Sequence, residues 1–151
     1  MKRNILPAAA VAGCLGLIGC AGLGTQQVTA PPPGTVYCDS PVLCKIQVYV
    51  DNCKVSVVPE YVGLPRGHPN VIIMWTIETS GYEYLTDGIK FKTPGWENEF
   101  DHPSHAPTQF TMRDLNPTGL QRGRKFDYAV KVKPTNGAAC PVHDPGIVND
   151  M

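Results

Sequence analysis

Lys125-Phe126-Asp127-Tyr128-Ala129-Val130-Lys131-Val132-Lys133 decides the fold class of this chain. Phe126, Tyr128, Val130 and Val132 occupy alternate positions, with Asp127, Lys131 and Lys133 between them. A period of two places one row of side chains on one face of an extended strand, whereas a helix needs a period near 3.6. Working outward, the same alternation recurs. Ile46, Val48 and Val50 alternate with Lys45, Gln47 and Tyr49; Asp51-Asn52-Cys53 supplies turn chemistry; Val55 and Val57 then alternate with Lys54 and Ser56. This is the pattern of a β-hairpin. Val71 to Ile77 is apolar at Val71, Ile73 and Trp75 and also at Ile72 and Met74, which predicts a central strand covered on both faces, with Trp75 in the core. Ile89 with Phe91, and Phe110 with Met112, mark shorter strands. No segment carries a convincing helical period. About seven short strands separated by Gly, Pro and Asn-rich turns predict an all-β fold, a β-sandwich of immunoglobulin-like or cupredoxin-like type.

The 151 residues leave room for one such domain, because the N-terminus has the order of a secretory signal. Met1-Lys2-Arg3 is the charged start, Ile5 to Ile18 the apolar stretch, and small residues precede Cys20. The apolar stretch is shorter than the about 20 residues that span a bilayer. Leu17-Ile18-Gly19-Cys20 resembles the bacterial lipobox, in which a peptidase cuts before a cysteine carrying a diacylglyceryl group. The rival Val11-Ala12-Gly13-Cys14 leaves only Ile5 to Ala10 as its apolar run, short for such a signal. The resemblance implies a signal peptide over 1–19, a lipid anchor with palmitate-type chains on Cys20, and residence in the cell envelope. Ala21 lacks the aspartate that directs retention in the inner membrane, so the resemblance points to the outer membrane. Residues 20–36, with Pro31-Pro32-Pro33-Gly34, have the composition of an extended tether, and the sandwich is expected over 37–151.

A second resemblance rests on several short elements. These are the Val-rich hairpin, the apolar strand closing on Trp75-Thr76, Gly88-Ile89-Lys90-Phe91, Phe126-x-Tyr128-x-Val130-x-Val132, and Asp144-Pro145-x-Ile147-x-Asn149. Together they resemble a family of small uncharacterised bacterial proteins, the DP-EP-type group, over about Lys45 to Asn149. The resemblance implies a sandwich and supplies no functional residues.

With Cys14 and Cys20 set aside, Cys38, Cys44, Cys53 and Cys140 remain, an even number in a chain addressed to an oxidising compartment. Two disulfides are expected and three pairings are open. The favoured one joins Cys38 to Cys44 across the entry loop and Cys53, at the hairpin turn, to Cys140, after the long last strand. Cys140-Pro141-Val142-His143 with Met151 offers the residue types of a blue-copper ligand loop, but that loop should run into a further strand.

Thr93 to Gln109 is the chemically richest segment, read as a long connection holding Trp96, Glu97, Glu99, Phe100, Asp101, His102 and His105. Glu97, Glu99 and Asp101 would project to one side if extended, and with the two histidines could meet a divalent cation; no recognised ligand spacing accompanies them, and no metal is assigned. A solvated acidic loop pinned by Trp96 and Phe100 is the simpler expectation. Asp101, His102 and Ser104 are the types of a hydrolytic triad, but neighbours in one segment rarely give its geometry and no nucleophile elbow is present. His68, between Gly67 and Pro69, reads as a turn residue. Charge adds an exclusion. Setting Lys2 and Arg3 aside leaves 11 basic residues against 13 acidic, and the cluster of Arg122, Arg124, Lys125, Lys131 and Lys133 reads as a solvated strand face, so nucleic acid is not an expected partner.

Two function classes follow. One is a non-catalytic envelope module that needs no cofactor and binds a protein, peptide or glycan, with the Trp96 to His105 segment as the candidate contact. The other is a metal-binding or redox domain of cupredoxin type.

Overall fold

A computed structural model describes residues 30–64, 67–115 and 123–149; Cys14, Cys20, Arg66, Arg122 and Met151 lie outside them. The described residues form ten strands: β1 (Thr35–Tyr37), β2 (Leu43–Asp51), β3 (Lys54–Val58), β4 (Tyr61–Leu64), β5 (Val71–Ile77), β6 (Tyr82–Phe91), β7 (Phe100–Ala106), β8 (Gln109–Asp114), β9 (Arg124–Pro134) and β10 (Gly146–Asn149). One 3-10 turn lies at Trp96–Asn98. The strands make two sheets of five, ordered β1-β4-β10-β9-β6 and β3-β2-β5-β8-β7. We refer to these as sheet one and sheet two. The fold is therefore the all-β sandwich expected, and it is stapled by Cys38–Cys44 and Cys53–Cys140, the favoured pairing.

Alternation accounts for the core. Ile46, Val48, Val50, Val55, Val57, Ile73 and Trp75 of sheet two are buried against Phe126, Tyr128, Val130, Val132, Val62 and Ile147 of sheet one. Trp75 crosses the gap: its ring meets Tyr128 edge-on at 5.5 Å, and its Nε1–H donates to the Tyr128 hydroxyl at 3.0 Å. Burial pushes the Tyr128 phenol well above its ordinary pKa, so it stays neutral and available as the acceptor.

The β2–β3 hairpin turns through two residues, Asn52 (φ 48°) and Cys53 (φ 62°). Positive φ at both positions is the type I′ geometry that suits the twist of a two-residue hairpin. Asn adopts it readily. Cys53 stands where glycine would be easier, and it is held there by the bond to Cys140.

Three expectations are corrected. The described residues hold ten strands where about seven were expected, one of them the short β1, which runs parallel to β4. β5 is central within its sheet, between β2 and β8, but only one of its faces is covered. Ile72 is 37% exposed and Met74 and Thr76 are half-buried, because the outer face of a sandwich sheet meets water and only cross-strand neighbours shield it. Finally, Phe100–Ala106 is a strand, not part of a connection.

Candidate functional site

The segment singled out for recognition divides between core and surface. Phe100 is 1% exposed and stacks on Phe91 at 4.6 Å. Trp96 stacks on the same ring at 5.4 Å and is half-buried. Both rings therefore have a packing role. The stacking is imposed locally: Gly95, at φ 78°, admits the left-handed turn that swings Trp96 back over β6. Glu97 is exposed while Glu99 is buried at 1%, so the carboxylates do not share a side. The Asn149 amide donates to Glu99 Oε2 at 3.1 Å and to Asp114 Oδ1 at 3.0 Å, joining the residue before β7 to β8 and β10 through side chains far apart in sequence. Both carboxylates make further interactions.

Asp101, His102 and His105 remain at the surface. Asp101 lies directly opposite Arg113 in the β7–β8 ladder, which lets the guanidinium fork grip both carboxylate oxygens, one at 2.7 Å. His102 Nδ1 lies 2.9 Å from Asp101 Oδ2 and 3.1 Å from Arg113 Nη2. The Arg113 guanidinium, and then His102, hold the Asp101 carboxyl below the usual carboxylate range. A depressed value means that the pair supports the fold above the ordinary aspartate pKa of about 3.9 and that this support is lost as pH falls below it. We expect the Asp101 carboxyl carbon to titrate below about 3.9 by NMR, and its midpoint to rise towards that value in Arg113→Met. An unmoved midpoint would show that the fork does not set it. Among the described residues, no group of three or more His, Cys, Asp or Glu side chains is placed to hold a metal ion. Cys140 is bonded to Cys53, so its sulfur is not a thiolate ligand in this state, and His143 Nε2 lies 2.8 Å from Glu60 Oε2.

Concave surface lies elsewhere, at the two disulfides. The first cleft, of about 360 Å³, is bordered by Val36, Tyr37, Leu43, Pro59 and Val62 together with Cys38 and Cys44. The loop closed by that disulfide is well tied. Ser40 Oγ accepts from the Val42 and Leu43 amides at 3.3 and 3.2 Å, Cys38 N–H donates to Gly63 O in sheet one, and Ile72 N–H donates to Val42 O from sheet two. The Tyr37 ring lies on Gly63 so closely that a Cβ there would collide with it, which is why the position takes glycine. Two of its lining side chains are exposed and apolar, Val36 at 54% and Tyr37 at 40%.

The second cleft, of about 480 Å³, runs between Asn52–Ser56 and the segment Pro141–His143. That segment is pinned to β9 by the reciprocal backbone bonds of Val130 and His143, by Cys140 N–H to Val132 O at 2.9 Å, and by the disulfide to Cys53. Val142, 51% exposed, lines it. Neither cleft was legible in the sequence. The lysines of β9 face carboxylates: Lys125 pairs with Asp127, Lys131 with Asp87 and Lys133 with Glu83. Comparison of the chain with models of known protein families gives no match, and comparison with curated proteins gives none.

Proposed function

We propose that this chain is a non-catalytic lipoprotein of the bacterial cell envelope, anchored by lipid on Cys20 at the outer membrane, whose sandwich binds a protein, peptide or glycan. The observation that carries the reading is that both clefts are framed by disulfides: Cys38 and Cys44 border the first, and Cys53 borders the second. Covalent bracing of a concave surface fixes its shape before a ligand arrives, which lowers the ordering entropy lost on binding. Both volumes fall within the range of ligand sites, roughly 300–1,000 Å³. The two disulfides also suit an oxidising compartment, as the lipobox at Cys20 requires. The resemblance to the DP-EP-type group belongs to the same proposal and supports the sandwich rather than a ligand.

Two measurements test it. Cys20→Ser should end incorporation of labelled palmitate and move the protein from the membrane fraction to the soluble one, since stable anchoring takes at least two acyl chains and all would hang on this residue. Palmitate still entering Cys20→Ser protein would refute the anchor. For binding, the full-length chain carrying a benzophenone amino acid at Val36 or Val142, which line the first and second cleft, should crosslink to envelope components in cells, and one at Lys90 on β6 should not. Crosslinking at Lys90 without either cleft position would move the contact away from both clefts.

A further inference from the structure

A sandwich of two open sheets has four edges, and three of them are blunted. β7 carries a register shift between Asp101 and Ser104, with His102 left-handed at φ 51° and Pro103, which has no N–H, beside it. β6 is broken by a shift between Tyr84 and Ile89, and its Tyr84 N–H is taken by Pro107 O at 2.7 Å. β1 is three residues long. Such bulges, prolines and short runs are the devices that stop strand edges from pairing with other chains. β3 has none of them over its five residues: its register with β2 is unbroken from Lys54 to Val58, and it contains no proline.

The phase of the hairpin shows which backbone groups this edge offers. Across a two-residue turn Asp51 and Lys54 form a hydrogen-bonded pair, and bonded and non-bonded pairs then alternate. Val50 with Val55 and Val48 with Val57 are therefore the non-bonded pairs, whose backbone groups point away from the partner strand. The β2 side agrees. Val50 N–H donates to Thr79 Oγ1 and Val48 O accepts from Glu78 N–H, both on the side away from β3. Val55 and Val57 accordingly turn their N–H and C=O groups to the open edge, and at Val55 that edge borders the second cleft.

Resting on the reading of the chain as a binding module, we propose that this edge takes up an extended peptide as an antiparallel sixth strand of sheet two, in which the residues opposite Val55 and Val57 exchange both backbone bonds with them. The groove defines its chemistry. Side chains of paired residues point to the same face, so the residue opposite Val55 points inward to Val142 and is apolar. Residues opposite Lys54 and Ser56 point outward. Lys54 is exposed and has no ion pair among the described residues, so an acidic side chain fits opposite it. Main-chain bonds would give affinity and the alternating side chains selectivity, as in other cases of strand addition.

The test uses the full-length chain in detergent micelles and the fluorescein-labelled peptide Thr-Val-Glu-Val-Thr, whose sequence reads alike in both directions. Fluorescence polarisation should show saturable binding, and hydrogen exchange of the segment 54–58 should slow about tenfold on saturation. N-methylation of both valines, which removes backbone donors, should weaken binding more than tenfold. Val142→Glu, at an exposed position that leaves the core intact, should weaken it about tenfold, and the Glu to Lys peptide about fivefold. No binding, equal binding of the N-methylated peptide, or protection confined to residues around Val36 would overturn the proposal. So would protection of 54–58 that grows with protein concentration without peptide, since the occupant would then be a second copy. Crosslinking at Val36 in cells would stand in any of these cases, which separates failure of the peptide site from failure of the binding reading.

Discussion

Replacing Trp75 with alanine is expected to destabilise the domain by about 3–5 kcal/mol, the range for truncating a large, fully buried aromatic side chain. Trp75 is wholly buried, sits on the central strand of sheet two, and meets Phe110 and Tyr128 edge-on at 6.2 and 5.5 Å. Two effects combine in the loss. The vacated volume lies between the sheets, where strands held by their ladders cannot close in. The Tyr128 hydroxyl also loses its indole donor while remaining buried, a defect worth about 1–3 kcal/mol when nothing replaces the partner. Domains of this size are stable by only about 5–15 kcal/mol, so the urea midpoint should fall by more than about 1 M. Trp75→Phe should fall in between, since it keeps part of the volume but not the N–H. If Trp75→Ala folds with an unchanged midpoint, the ring is not what holds the sheets together.

The second large effect concerns the disulfides, which close loops of very different length. Cys53 and Cys140 are 87 residues apart and Cys38 and Cys44 only 6. In the chain-entropy account the longer loop restricts the unfolded chain much more, giving about 4–5 kcal/mol against about 2 kcal/mol for the short one. Cys53→Ser with Cys140→Ser should therefore lower stability about twice as much as Cys38→Ser with Cys44→Ser, in urea melts run without reductant. Equal losses would mean that local packing, not loop closure, governs both bonds. The long bond also anchors the Pro141–His143 wall of the second cleft, so its removal should act on that surface as well as on stability.

Several elements were legible because their signal is local. Lys125–Lys133 and the Ile46 to Val57 hairpin declare themselves through alternation, and Asn52-Cys53 through turn chemistry. The cysteine pairing followed from where those elements place Cys53 and Cys140. What stayed hidden depends on partners distant in sequence. Asp101-His102-Pro103-Ser104-His105 has no strand character of its own; it is extended because β8 pairs with it, through Asp101 opposite Arg113 and His105 opposite Phe110. Glu99 reads as a surface carboxylate in its neighbourhood, and only the fold brings Asn149 to it. Trp96 and Phe100 resemble exposed anchors until the Phe91 ring of β6 is placed beneath them. Period two also cannot reveal which strand lies at an edge, so the open side of β3 and the cleft beside it had no trace in the sequence.

The place of β10 bears on how the chain is made. Gly146–Asn149 comes after the other nine strands in sequence, yet it sits at the centre of sheet one, parallel to β4 and antiparallel to β9, with all four residues buried. Until that segment emerges from the ribosome, β4 and β9 have no strand between them and sheet one cannot close. Pairings between such distant segments form slowly compared with local ones. Sheet two contains no part of β10, so only the closing of sheet one waits for residues 146–149.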